Sequence, residues 1–218
     1  MFEILLLSHN EITSPTFDAT YASLSLLRHV DLAHNDFRHL RASDLAPLHS
    51  GPGRPAVEYL SLADCGLVQI DATAFEGLDN LTSLTLSRCL VNETVLARAF
   101  ASASFRNRLL RLDISETYIA NLTVGLVGLF NNLVGLFASY CDLAHVDPNL
   151  FQHTTFSETV DFYNRRTLVQ PHRSVFLNQK TPSTLSVPMC NRIVLLAFNC
   201  RFKPVPTHKV RENRRRPQ

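Results

Sequence analysis

The sequence has few glycines and none of the common catalytic motifs. Only 7 of its 218 residues are glycine, which argues against a glycine-rich turn that cradles a nucleotide phosphate. It contains no H-E-x-x-H metal motif and no serine at a nucleophile elbow. We therefore predict a protein that is not an enzyme, with no catalytic, cofactor-binding or metal-binding residue.

Long apolar runs are also missing. No stretch approaches the ~18–20 apolar residues of a transmembrane helix, and the longest late run covers only Ile193 to Phe198. Residues 1–7 lack the basic segment that opens a signal peptide. We expect no membrane insertion by this chain itself.

Cysteine is sparse and its pattern is not that of a disulfide framework. The five cysteines are odd in number and form no cluster at either end, whereas small secreted domains usually show an even number at close spacing. Taken alone, this usage is typical of a protein in a reducing compartment.

What the sequence does contain is an internal repeat. An eleven-residue pattern, L-x-x-L-x-L-x-x-N/C-x-L, occurs six times, with starts 24 to 30 residues apart. The six copies begin at Phe2, Leu27, Val57, Leu81, Leu109 and Leu133, and a weaker seventh begins at Phe156 with Asn164 in its polar slot. A period of this length predicts a leucine-rich-repeat solenoid.

The apolar spacing predicts the shape of one coil. The segment L-x-x-L-x-L alternates at its centre, as in a short strand with one buried face. The return segment carries apolar residues such as Ile70, Phe75 and Leu78, whose spacing favours a short helix or 3₁₀ turn. Because one coil cannot bury its apolar face alone, the coils must stack. We predict an α/β repeat solenoid, a horseshoe arc with a parallel concave sheet and short helical or 3₁₀ convex segments.

The ninth position of the pattern is often polar although it faces the core. It reads Asn10, Asn35, Cys65, Cys89, Thr117 and Cys141. The chain bends inward there and leaves backbone groups without strand partners, so an inward Asn, and more weakly a Cys, can pair them. We therefore interpret three of the five cysteines as core thiols rather than metal ligands or disulfide partners.

The repeat pattern also sets the domain organisation. We predict a solenoid over residues 1–168 and an irregular, disordered, basic tail containing prolines over residues 169–218. Two copies are lengthened, one by the turn-forming stretch 49–55 and one by a short amphipathic helix within 94–105. Either insertion could contact a partner or be a tolerated surface insertion.

The stretch from Ile70 to Leu81, with Phe75, Leu78 and Leu81 spaced by three, resembles the typical subfamily of leucine-rich repeats. That subfamily includes Toll-like receptor ectodomains, chaoptin-like adhesion proteins and Slit-like guidance proteins. The resemblance implies recognition of a protein ligand or co-receptor by part of a receptor or adhesion ectodomain at the cell surface. Such ectodomains carry a signal peptide and Cys-rich caps, so we expect this chain to be a fragment of a longer protein.

Three N-x-[ST] sequons agree with an extracellular glycoprotein. They begin at Asn80, Asn92 and Asn121, and Asn92 lies in a lengthened return segment where it should be the most exposed. An intracellular, cytoplasmic leucine-rich-repeat scaffold or adaptor is the alternative, because it fits the missing signal peptide and the unpaired cysteines.

Parallel strands would display their outward residues as columns on the concave face. We predict that partner binding uses residues from the third, fifth and eighth positions, since these include the Tyr and Arg side chains that are enriched at interface hot spots. They are His9, His29, Asp31, His34, Tyr59, Asp64, Arg88, Arg111, Asp113, Glu116, Phe137 and Tyr140. The seventh position holds only Ser or Ala, which either lets a partner approach or merely suits a crowded sheet.

One cluster on this face keeps a remote catalytic alternative open. His9, His34 and Asp31 should lie near one another beside Asp64, because neighbouring strands are ~4.8 Å apart. The histidines are better suited to pH-sensitive partner binding than to catalysis, since His changes charge between about pH 5 and 8. With a mildly acidic repeat body, we expect no nucleic-acid partner.

Overall fold

The computed structural model describes residues 2–147, 149–150, 159–162 and 184–186, with only the backbone described at 159, 160 and 184–186. Its strands are short and regularly spaced. In chain order they are β1 (Ile4–Leu6), β2 (His29–Asp31), β3 (His39–Leu40), β4 (Tyr59–Ser61), β5 (Gln69–Ile70), β6 (Ser83–Thr85), β7 (Arg111–Asp113), β8 (Asn121–Leu122), β9 (Gly135–Phe137), β10 (His145–Val146), β11 (Thr159–Asp161) and β12 (Thr184–Ser186).

Eight of these strands form one parallel sheet in the order β1-β2-β4-β6-β7-β9-β11-β12. The register places the same repeat position side by side, so that Val30 lies opposite Leu60 and Leu60 opposite Leu84. Each main-sheet strand of the six clear copies covers positions three to five of the repeat. The predicted leucine-rich-repeat solenoid with a parallel sheet is confirmed.

The return segments form the opposite side of the coil. They contain the helices α1 (Glu93–Ala101) and α2 (Val124–Val127), and 3₁₀ turns at Ala19–Ser23, Ala46–Leu48 and Ser104–Asn107. Two small parallel sheets, β3 with β5 and β8 with β10, link neighbouring return segments. The predicted short helical or 3₁₀ convex segments are confirmed. Within the described residues, no helix combines the length and apolarity needed to cross a membrane.

The core lies between the sheet and the return segments. The strand residues Val30, Leu60 and Leu84 have no exposed surface, and each such side chain contributes roughly 1.5–3 kcal/mol of gross burial energy. A cluster of phenylalanine rings fills the space under helix α1, where Phe100 lies 5.2 Å from Phe130 and 6.2 Å from Phe75 between ring centroids. Helix α1 is thereby tied to the coils on both sides of it.

The polar slot behaves as its chemistry predicts. Asn35 donates from Nδ2 to the carbonyls of Leu7 at 2.9 Å and Leu32 at 2.8 Å, and its Oδ1 accepts the N–H of Ile12 at 3.0 Å. The Cys89 thiol donates to the Leu62 carbonyl at 3.2 Å. Cys65, Cys89 and Cys141 are all buried and form no disulfide, so their interpretation as core thiols is confirmed.

The seventh copy is shifted by one residue from the predicted register. Strand β11 pairs with β9 so that Val160 lies opposite Leu136, which starts the copy at Ser157 and not at Phe156. The physical reason is that this register buries Phe162, whereas the predicted one would turn the charged Asp161 into the core. Phe156 and Asn164, the two positions of the prediction, lie outside the described residues.

Strand β12 lies beyond residue 168, where the sequence predicts an irregular tail. It pairs in parallel with β11, and Leu185 lies opposite Val160. The prediction of an irregular segment does not hold at these three residues, since a Thr-Leu-Ser strand is too short to show periodicity. A signal was nevertheless present, because Val187 and Cys190 follow Leu185 at the spacing of the repeat. The domain boundary and the rest of the tail prediction, which concern residues outside the described part, stay predictions.

Candidate binding surface

The eighth repeat position has a conformation that the sequence did not reveal. His9, His34, Asp64, Arg88, Glu116 and Tyr140 all have φ between 52° and 58°. This left-handed conformation costs a residue with a side chain about 1–2 kcal/mol. It is held in place because the N–H of each of the first five donates to the seventh-position carbonyl of the next copy, as from Arg88 to Ser115 at 2.9 Å. We call these six residues the left-handed ridge.

The ridge stands beside the concave sheet and is more exposed than the sheet itself. Five of its six residues are exposed and His34 is half-buried, whereas the predicted residues on the strands are half-buried apart from the exposed Arg111: His29, Asp31, Tyr59, Asp113 and Phe137. The predicted binding residues therefore divide into a protruding row and a recessed row.

Neighbouring ridge residues pair along the row. The His9 and His34 rings stack with centroids 4.1 Å apart, and His34 Nδ1 lies 3.1 Å from Asp64 Oδ2. The structure thus brings His9, His34 and Asp64 together, as predicted. Asp31 takes another role, since its Oδ1 accepts the N–H of Ala33 at 3.0 Å. Within the described residues, no group of three or more His, Cys, Asp or Glu side chains is arranged to hold a metal ion.

The recessed row is partly occupied by local contacts. His29 and Tyr59 stack with centroids 4.0 Å apart. Asp113 repeats the role of Asp31, accepting the Ser115 N–H at 3.0 Å, so both carboxylates stabilise the turn after their strand. Arg111 and Phe137 lie over Gly135, where a Cβ would meet their side-chain atoms at 3.5 and 3.4 Å. Asp31 and Asp113 are consequently engaged in the turns that follow their strands.

The seventh-position column is tightly packed. Ala33 and Ser139 are buried, and Ser115 Oγ accepts the N–H of Ser139 at 3.2 Å. These contacts favour the interpretation that small residues suit a crowded sheet.

At one end of the ridge, two exposed tyrosine side chains border a shallow groove of about 560 Å³. The groove is lined by Arg88, Glu116, Thr117, Tyr118, Tyr140 and Asp142. Arg88 Nε donates to Glu116 Oε1 at 3.0 Å. Tyr118 and Tyr140 are 61% and 47% exposed, and the nearby Leu90 is 47% exposed.

Sequence reasoning missed Leu90 and Tyr118 because both occupy the tenth repeat position. In the other four clear copies that position holds Glu11, Asp36, Gly66 and Asp142. A Leu and a Tyr at a position that is otherwise acidic or glycine are the signal that could have identified them.

The three sequons have different exposure. Asn92 and Asn121 are exposed, and Asn80 is half-buried.

Comparison with known proteins adds to this geometry. No protein-family model and no curated protein matches the sequence. The structure of TLR13 in complex with single-stranded RNA is similar, with 28% sequence identity and a TM-score of 0.63 over 76% of this chain. This chain spans 22% of the length of that TLR13 chain.

Two further solved structures share the fold. Human 5T4 matches with 16% identity and a TM-score of 0.53, over 84% of this chain and 76% of its own. A chain from the octameric complex of Latrophilin 3, Unc5D and the LRR protein FLRT2 matches with 15% identity and a TM-score of 0.51, over 84% of this chain and 66% of its own. The chain is a leucine-rich-repeat protein, similar in sequence and structure to part of a Toll-like receptor.

Proposed function

We propose that this chain is a non-catalytic recognition module that binds a protein ligand or co-receptor, as part of a receptor or adhesion ectodomain at the cell surface. Binding uses the left-handed ridge and the concave strands beside it. The observation that carries the proposal is the row of six outward left-handed residues, which ends in the groove lined by Arg88, Tyr118 and Tyr140.

Rigidity of the ridge supports a binding role. Each of its first five turns is held by a backbone hydrogen bond to the next copy, such as Asp64 N to Ser87 O at 2.8 Å and Glu116 N to Ser139 O at 2.8 Å. A surface that is already ordered loses little conformational entropy when a partner docks. Tyr and Arg at one end are the residue types that most often dominate interface energy.

Charge favours a protein partner over a nucleic acid. Among the twelve predicted binding residues, two arginines face four carboxylates, which gives a net charge of −2 while the histidines are neutral. Binding to a phosphate backbone depends on excess Lys and Arg. TLR13 was solved with single-stranded RNA, so RNA is the second candidate ligand.

The cysteines do not oppose an extracellular location. Burial raises the pKa of the Cys65 thiol to about 12 and that of Cys89 to about 11. Only the thiolate is readily oxidised, so these core thiols are protected even in an oxidising compartment. The cysteines therefore give little support to the alternative of a cytoplasmic scaffold.

The proposal is tested by surface plasmon resonance with the immobilised chain. Two sets of probes are passed over it, a panel of purified extracellular protein domains and single-stranded RNA oligonucleotides. We expect saturable binding of at least one protein domain and only weak, salt-sensitive binding of RNA. Saturable RNA binding without any protein binding would favour the second candidate and contradict the proposal.

A further inference from the structure

We propose that the folded, secreted protein carries a glycan at Asn92 and none at Asn80, because the insertion at residues 49–55 packs against Asn80. The inference rests on the proposed extracellular location. In the transfer reaction, Asn Nδ2 attacks C1 of a lipid-linked pyrophosphate oligosaccharide. The N–C1 bond forms, the C1–O bond to the pyrophosphate breaks, Nδ2 loses one proton and the lipid pyrophosphate leaves. The modified amide keeps its oxygen and one N–H.

Asn92 is built to carry such a group without disturbing the fold. It is the N-cap of helix α1, and its Oδ1 accepts the N–H of Val95 at 3.1 Å. The cap uses the oxygen, which glycosylation preserves, and leaves Nδ2 available for the sugar. Asn92 and the sequon hydroxyl residue Thr94 are both exposed. The helix cap therefore also fixes the direction in which the glycan leaves the surface.

The amide nitrogen of Asn80, in contrast to that of Asn92, contacts the insertion. Its Nδ2 donates to Ser50 Oγ at 3.1 Å, and Ser50 belongs to the insertion of the previous copy. The hydroxyl of Thr82 donates to the Glu58 carbonyl at 3.0 Å, so both side chains of this sequon are engaged. Asn80 is half-buried against the insertion, so a sugar on Nδ2 would be crowded by the insertion even where the remaining N–H kept its bond to Ser50.

The insertion makes hydrogen bonds and close contacts that would be lost if it moved aside. Ser50 N donates to the Gly77 carbonyl at 2.7 Å, and a Cβ on Gly77 would lie only 2.6 Å from His49 Cγ. Arg54 closes the insertion, donating from Nε to the His49 carbonyl at 3.1 Å and from Nη2 to the Ala46 carbonyl at 3.1 Å. A chain modified at Asn80 would have to release this set of contacts.

Asn121 is exposed, and its Nδ2 donates to Glu93 Oε1 at 2.9 Å. An amide that keeps one N–H can retain that bond, so Asn121 is compatible with a glycan. The proposal concerns the contrast between Asn92 and Asn80.

The test is expression of the full chain behind a secretion leader in cultured animal cells. Intact masses are measured for secreted and cell-retained protein, before and after enzymatic removal of N-glycans. Asn92→Gln is expected to lose the mass of one glycan, and Asn80→Gln is expected to change the secreted mass by the substitution alone. Thr94→Ala is the matched control, since it destroys the sequon but keeps the Asn92 cap, and it should lose the same glycan mass.

Two outcomes would overturn the proposal. One is a secreted protein in which Asn80 carries a glycan as often as Asn92, and the other is an unchanged mass in both Asn92→Gln and Thr94→Ala. Asn80-modified chains confined to the retained fraction would support it. Because the leader is supplied, this readout is independent of whether the ridge binds a protein.

Discussion

At the scale of single residues, the ninth position decides how each coil turns. Asn35 satisfies two carbonyls and one N–H, whereas Cys89 donates one weak hydrogen bond. The two residue types occupy the same slot but should contribute different amounts to stability, because an unsatisfied buried backbone group costs about 1–3 kcal/mol.

Asn35→Ala is therefore expected to lower the free energy of unfolding by about 2–3 kcal/mol, and Cys89→Ala by about 1 kcal/mol. Urea unfolding followed by circular dichroism measures both. If both variants lost the same free energy of unfolding, the residue in this slot would stabilise the fold by filling space and not by hydrogen bonding.

The eighth position stores backbone strain that can be measured. Glu116 has φ of 56°, a conformation that glycine adopts without penalty and that β-branched residues avoid. Glu116→Gly and Glu116→Val both remove the exposed contact with Arg88, so they form a matched pair. We expect the Val variant to be less stable than the Gly variant by about 1–2 kcal/mol in urea unfolding. Equal stability would show that the turn relaxes when its residue changes.

At the scale of elements, the sequence predicted the regular parts and missed the local exceptions. The spacing of Leu60 and Leu62 requires a strand with one buried face, so the strand positions follow directly from periodicity. The left-handed turn does not, because it is stabilised by cross-copy hydrogen bonds from residues as different as His9 and Glu116.

The candidate surface was predictable to a similar extent. The columns of the third, fifth and eighth positions follow from the strand geometry, but their division into protruding and recessed rows depends on backbone angles. Asp31 and Asp113 could not be recognised as turn-forming residues, since their bonds go to main-chain N–H groups two residues further on.

Helix α1 offers a test at the level of an element. Phe100 has no exposed surface and lies between Phe75 and Phe130. Phe100→Ala is expected to cost about 3–5 kcal/mol, whereas Leu90→Ala on the exposed tenth position should change stability by less than about 0.5 kcal/mol. Thermal and urea unfolding compare the two. A small effect of Phe100→Ala would mean that the insertion folds apart from the solenoid.

At the scale of the whole molecule, the first coil is less covered than the clear copies that follow it. Leu27 has no exposed surface, but the equivalent Phe2 is 57% exposed, and Ile4 and Leu6 are 57% and 65% exposed on the edge strand β1. In each later clear copy, the corresponding edge pairs with the preceding coil. An open, apolar strand edge favours pairing with another chain.

We therefore expect the isolated chain to self-associate through β1. The double variant Ile4→Lys with Leu6→Lys should shift the molecule toward monomer in light scattering coupled to size-exclusion chromatography. Ser83→Lys with Thr85→Lys, at the same positions of an internal strand, is the control and should leave the association unchanged. Association that persists in the β1 variant but falls in the control would place the contact elsewhere.

The central claim is that the left-handed ridge forms the protein-binding surface, and affinity measured on matched surface variants tests it most directly. The measurement compares the affinities of two double variants for a protein domain that binds the unaltered chain. One combines Arg88→Ala with Tyr140→Ala on the ridge, and the other combines Arg98→Ala with Arg106→Ala on the return segments. We predict that the ridge pair weakens binding at least about tenfold, while the other pair leaves the dissociation constant unchanged. Equal affinity in the ridge variant, or an equal loss in both, would contradict the account.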